Sequence, residues 1–258
     1  MMPRRVQAGE QNPVGERLRQ DLQRHVAAAI ALATLAALVL AQALDLGPAF
    51  LAAAGAALAA GAVLLLALRD ACCDAHPHPA FGAANRVTLA RAAGVGLLAG
   101  LAFEPQTELR AWTAVTLAAT AAALDGVDGR LARRSGLASR FGARFDMETD
   151  ALMILVLAAL AWRWERAGAW VLLAGLLRYG FVLGGAAWPW LARELPPSRR
   201  RQAVCVVQVV GLVLALVPWL SPSQAASVAA LSLAALCYSF AADVRGLARR
   251  RPTKGLVP

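Results

Sequence analysis

Between residues 26 and 243 the chain is a succession of eight apolar runs, each 17 to 24 residues long and separated by short polar breaks. The runs lie at 26–44, 48–68, 86–103, 109–132, 147–163, 167–190, 203–220 and 225–243. A helix of about 20 residues spans the ~30 Å hydrocarbon core of a bilayer, so runs of this length read as transmembrane helices. Asp45, Gly47 and Pro48 mark the first turn, and Ser221, Pro222 and Ser223 the last. Ala and Leu dominate the runs and aromatic residues are only 6% of the chain, which predicts closely packed helices. The expected fold is an all-α polytopic membrane protein with about eight transmembrane helices. Gly96 and Gly100 form a small-xxx-small pair, expected to serve packing within the chain; a homodimer is left open.

Charge supports the same reading. The chain is 59% hydrophobic yet carries 26 Lys+Arg against 16 Asp+Glu. A soluble domain this apolar and this basic would be anomalous, whereas basic loops between membrane helices are ordinary. The arginines are spread between apolar runs rather than gathered on one soluble module, which argues against a nucleic-acid partner. The first 24 residues, the 69–91, 125–150 and 191–202 segments and the C-terminus together hold 22 of the 26 cations. The alternate loops hold Arg110, Arg163 and Arg166, and Arg178 lies within a run. The positive-inside rule therefore places both termini and the 125–150 segment in the cytoplasm. The long basic start lacks a small-residue cleavage site after a short apolar core, so no cleavable signal peptide is expected. Cys205 and Cys237 fall in apolar runs and read as reduced packing residues. Cys72, Cys73, His76 and His78 lie close together without a second ligand cluster, so a polar loop is expected there rather than a zinc site.

The polar residues inside this apolar frame are not scattered. Asn85, Thr88 and Arg91 share one helical face, at i, i+3 and i+6. Asp125 and Asp128 are i,i+3, and Asp146 and Asp150 are i,i+4, so each pair lies on one face. Gly136 and Gly142, between the pairs, would let the second helix fold back beside the first. Intramembrane acids are costly and mark functional sites by default. Four clustered carboxylates repel one another unless a cation neutralises them, and without a nearby His or Cys the cation would be hard, divalent and oxygen-liking, such as Mg²⁺ or Mn²⁺. The third to sixth runs share this polar end, which predicts a membrane-embedded cavity open to the cytosol.

Residues 125–150 read DGVDGRLARRSGLASRFGARFDMETD. The pattern D-x2-D-G-x2-A-R-x8-G-x3-D-x3-D is met at Asp125, Asp128, Gly129, Ala132, Arg133, Gly142, Asp146 and Asp150. This resembles the signature of the CDP-alcohol phosphotransferase (CDP-alcohol phosphatidyltransferase) family, and Asn85-x2-Thr88-x2-Arg91 is similar to the segment that opens that family's first core helix. Arg134, Arg140 and Arg144 match no fixed position and read as positive-inside charges. The resemblance implies a six-helix core over residues 81–245, preceded by a two-helix membrane addition at 25–80, with a basic tail or surface-lying helix at 1–24 and a basic tail at 246–258. It implies a multi-pass protein of a bacterial-type inner membrane that moves a phosphatidyl group from a CDP-linked lipid, such as CDP-diacylglycerol, to an alcohol with release of CMP. Asp125, Asp128, Asp146 and Asp150 would hold two Mg²⁺ or Mn²⁺ ions, and Asp150 would also be the general base. Asn85, Thr88, Asp125, Gly129, Ala132 and Arg133 would line the donor pocket.

The residue types suit such chemistry independently. Attack by an alcohol on a diphosphate gathers negative charge on the phosphoryl oxygens, which paired divalent ions on shared carboxylates neutralise. Gly129 and Ala132 leave room beside the helix, and the planar fork of Arg133 can reach a phosphate. Arg178 is costly within a span unless it meets an anion or lines a wet cavity. With Arg199, Arg200 and Arg201 it is a candidate site for an anionic acceptor such as glycerol 3-phosphate; the alternatives are that Arg178 merely pairs with a cavity aspartate and that the triplet is ordinary interfacial charge. Two other functions compete. A transporter or ion pathway would also use intramembrane acids, but the chain lacks inverted repeats and its acids lie at one membrane face. A non-catalytic relative would keep the fold, but all four acids are present.

Overall fold

The computed structural model describes residues 13–72, 81–135, 139–193, 195–196 and 198–249, and of residues 13–17, 19, 67–72, 127–135 and 140 the backbone alone. All regular structure among the described residues is helical. The helices are α1 (Pro13–Ala43), α2 (Pro48–Cys72), α3 (Ala83–Leu101), α4 (Glu108–Ser135), α5 (Arg140–Arg163), α6 (Leu173–Ala187), α7 (Arg199–Ala215) and α8 (Pro222–Arg249), with a short 3₁₀ turn at Ala169–Leu172 leading into α6. By length and composition, four stretches among the described residues can cross a membrane: Gln20–Ala43, Pro48–Leu66, Ala169–Ala187 and Pro222–Arg249. The other four helices miss that standard for visible reasons. α3, α4 and α5 carry the charged residues of the acidic end, and α7 is only 17 residues long.

Helix bounds depart from the apolar runs: α1, α2, α5 and α8 extend beyond theirs, whereas α6 (Leu173–Ala187) is shorter than the run at 167–190 even with the 3₁₀ turn before it. α1 starts at Pro13 and continues unbroken into the first run, so residues 13–24 belong to the same rod. α5 starts at Arg140, ahead of the run at 147, because Ser139 caps it by accepting the Gly142 N–H at 3.1 Å. α8 starts with a reciprocal capping box. Ser221 Oγ accepts from the Gln224 N–H at 3.3 Å, the Gln224 side chain accepts from the Ser221 N–H at 2.9 Å, and Pro222 sits at the first helical position.

α3 is the hub, packed against α1, α2, α4 and α5, while α7 and α8 pair and α5 reaches α6 and α7. On α4 the stripe Ala111, Ala114, Ala118 and Ala121 is buried, and such small side chains let neighbouring backbones approach closely. Gly100 does the same between α3 and α2. A Cβ there would lie 2.7 Å from the Phe50 ring and 2.9 Å from its carbonyl oxygen, and one at Gly96 would lie 2.9 Å from Leu58. This glycine pair therefore packs α3 on α2.

The two ends of the bundle differ. At one end, cations bind backbone carbonyls. Arg110 donates to the carbonyls of Leu44, Asp45 and Pro105, Arg163 to that of Ala102, and Arg166 to those of Ala215, Val217 and Leu220. At the other end, Asp21 of α1 accepts the Phe81 N–H at 2.8 Å, just before α3. Leu22, Leu65, Phe81, Phe141 and Phe145 form a second apolar cluster there, so α1 and α2 are packed onto the start of α5.

Candidate active site

At this second end, α3 presents Asn85, Thr88 and Arg91 on one face, and all three are buried. Helical geometry alone puts them in line. Asn85 donates its amide to the Phe81 carbonyl at 2.5 Å, and the Thr88 hydroxyl donates to that of Ala84 at 3.2 Å. Gly142, expected in the turn before α5, instead lies in that helix's first turn. A Cβ on it would fall 2.6 Å from Asn85 Oδ1, so the missing side chain is what lets α5 close onto α3. Gly136 lies outside the described residues.

Three of the four expected acids converge. Asp125 comes from α4, and Asp146 and Asp150 come from successive turns of α5; one carboxylate oxygen from each lies within 4.8 Å of the others. Arg91 sits beneath them. Its Nη1 meets Asp125 Oδ1 at 2.9 Å and Asp146 Oδ1 at 2.6 Å, its Nη2 is bonded to Asp150 Oδ1, and its Nε donates to the Ala121 carbonyl at 3.2 Å. The Arg91 side chain is 1% exposed, whereas those of Asp125, Asp146 and Asp150 are 41%, 39% and 29% exposed. The acids thus open outward while the cation is sealed under them. Oxygen donors of this kind, close together and reachable from outside, fit a hard divalent cation. The side chains of Asp128, Gly129, Ala132 and Arg133, on the last turns of α4, lie outside the described residues.

The expected acceptor arginines have other neighbours. Arg178 on α6 is hydrogen-bonded to Glu148, and its Nε is buried with no hydrogen-bond partner among the described residues. Glu148 is two residues from both Asp146 and Asp150, which turns it to another face of α5. There it helps line a small cavity of about 40 Å³ between α1, α2, α3 and α5. Arg200 is hydrogen-bonded to Asp243 of α8, Arg201 lies 3.8 Å from the same carboxylate, and Arg199 is exposed.

Arg91 and Glu148 are the two members of this region that the sequence did not assign. For Arg91 the signal was present: a cation on the polar face of an otherwise apolar helix needs an acid within reach. For Glu148 no periodic pattern distinguished it from the acids on either side. The profile of the CDP-alcohol phosphatidyltransferase family matches residues 81–239, well over half of the chain and including all of α3 to α7. No curated protein and no solved structure gives a significant match.

Proposed function

Since the chain belongs to the CDP-alcohol phosphatidyltransferase family, we propose that it transfers a phosphatidyl group from CDP-diacylglycerol, or a related CDP-linked lipid, to an alcohol in phospholipid synthesis. The observation that carries this reading is the convergence of Asp125, Asp146 and Asp150 from two helices at one end of an apolar bundle. With Asp128 added from the motif, these residues would hold the cations. Two Mg²⁺ or Mn²⁺ ions bound there would neutralise the diphosphate and the departing nucleotide.

The chain's own residues do the rest. Asp150 takes the proton from the acceptor hydroxyl, whose oxygen forms the new bond to phosphorus as the bond to CMP breaks. Gly129 and Ala132 leave space for the nucleotide, Arg133 holds a phosphate oxygen, and Asn85 and Thr88 shape the floor of the donor pocket. An anionic acceptor such as glycerol 3-phosphate would meet Arg178, Arg199, Arg200 and Arg201. The last three stand in the first turn of α7, the positive end of the helix dipole, where a bound anion relieves an unfavourable accumulation of charge.

The same reading takes all eight helices as membrane-spanning, with α1 and α2 an addition to a six-helix core (81–245); the basic ends expected as tails at 1–24 and 246–258 are helical from Pro13 in α1 and as far as Arg249 in α8. The acidic end and both termini face the cytoplasm of a bacterial-type inner membrane. A tryptophan pair supports an interface at the far end. Trp112 and Trp219 meet edge to face with ring centroids 4.9 Å apart at the end away from the acids, where an aromatic belt belongs. The test is CMP release from CDP-diacylglycerol by the purified protein with a panel of alcohols, with and without Mg²⁺ or Mn²⁺. Metal-dependent CMP release with at least one acceptor is expected; none with any acceptor would favour transport or a non-catalytic role.

A further inference from the structure

We infer that Arg91 is a built-in counter-cation for the acidic site, which assembles the three carboxylates before any metal arrives and then competes with the metal for them; this rests on the metal-dependent reading above. Three carboxylates with oxygens within 4.8 Å of one another, each more than half withdrawn from solvent, repel one another unless a cation lies between them. One guanidinium answers all three, because its fork presents five N–H groups in a fixed plane. Nη1 bridges Asp125 of α4 and Asp146 of α5, Nη2 takes Asp150, and Nε is anchored on the Ala121 carbonyl of α4. A single side chain from α3 therefore ties α4 to α5 at the site.

With 1% of its side chain exposed, Arg91 is too deeply buried to touch a substrate. It is a positioning residue, and it acts through the acids. Its charge works in two directions. In the metal-free protein it holds the carboxylates together. Towards an incoming divalent cation it is a like charge attached to the same Oδ1 atoms, so it weakens binding relative to the same acids without it. A purely structural arginine would have only the first effect, and its loss would loosen the site and weaken metal binding.

The experiment measures Mn²⁺ affinity by electron paramagnetic resonance of the free ion, and thermal unfolding in EDTA and in Mn²⁺, on the full chain in detergent. Arg91→Gln is expected to bind Mn²⁺ at least about tenfold more tightly than the wild type. Its Tm should fall below the wild-type value in EDTA and recover when Mn²⁺ is added. Arg91→Lys keeps the charge without the fork, so its Mn²⁺ affinity should stay within about threefold of wild type. Unchanged or weaker binding by Arg91→Gln overturns the competing role, as does equal tightening by Arg91→Lys, which also decides the matter if Arg91→Gln does not fold. Failure of the wild type itself to bind Mn²⁺ sinks both the metal-dependent transfer and the role of Arg91. Binding by the wild type with disobedient variants sinks the latter alone.

Discussion

Asp125 and Asp150 share Arg91 but stand on different helices, and their expected roles separate them. An Asp150→Asn variant keeps a ligating oxygen and the shape of the side chain but can no longer take a proton. Turnover should therefore fall by at least about 10²-fold with CDP-donor binding largely retained. Asp125→Asn should weaken metal and donor binding together. Radiolabelled-donor binding measured beside CMP release separates the two, and near-normal activity in both variants would remove the roles assigned to them. Gly142 makes a different prediction. A methyl group there meets Asn85 Oδ1 at 2.6 Å, so either Asn85 gives up its bond to the Phe81 carbonyl or α5 moves. Gly142→Ala should cost about 1–3 kcal/mol, seen as a lowered Tm. Among single residues, the acids were legible in the sequence because spacing alone puts i,i+3 and i,i+4 pairs on a face. That Arg91 meets three of those acids at once was not legible, because how closely the helices of the shared polar end approach is a tertiary fact. Gly142 was singled out for the wrong local reason: Ser139 caps the helix before it, so the glycine serves close approach rather than the turn.

At the scale of elements, helix existence was legible and helix ends were not. Apolar runs report where lipid is expected, whereas caps and tertiary contacts decide where the hydrogen-bonded rod begins. This is why α5 opens at Arg140, seven residues ahead of its run. The three cations of the alternate loops, which charge counting treated as a minority, turn out to be structural. Arg166 is the clearest case. It is buried and closes the end of α7 by donating to the carbonyls of Ala215, Val217 and Leu220 at 3.0, 2.8 and 2.8 Å. Removing it takes this donor from the Ala215 carbonyl at the end of α7 and from that of Leu220 beyond it, while Val217 keeps the Leu220 N–H. Arg166→Ala should therefore lose roughly 2 kcal/mol or more of stability. Because it lies at the opposite end from the acids, the kcat of the folded fraction should stay near wild type. A large fall in Tm with retained kcat is the expected pair of results, and a loss of kcat in protein that unfolds normally would contradict the separation of the two ends.

That separation is a property of the whole molecule. α3, α4 and α5 run between a carbonyl-capped end and an acidic end, and α1 and α2 reinforce the acidic end through Asp21 and the cluster around Phe81. Most of the chain's cations belong to segments on the acidic side. If the acidic end faces the cytoplasm, Ser221, at the carbonyl-capped end beside Trp219, must face the other compartment, while Ser198, ahead of the arginines of α7, must not. Ser198 makes no side-chain cap hydrogen bond, so cysteine fits there with little disturbance, whereas Ser221→Cys gives up the Oγ cap on the Gln224 N–H at a cost of about 1 kcal/mol. Cys72, Cys73, Cys205 and Cys237 are first replaced by serine or alanine. A membrane-impermeant maleimide applied to intact cells should then label Ser221→Cys, and should label Ser198→Cys only after permeabilisation. The reverse pattern would invert the protein and put the acids on the wrong side for a cytosolic CDP-linked donor. Equal labelling of both from outside would mean that α7, the one helix between them, does not cross. Positive-inside charge predicts the first result, because Arg193, Arg199, Arg200 and Arg201 would otherwise have to be translocated with the short loop that carries them.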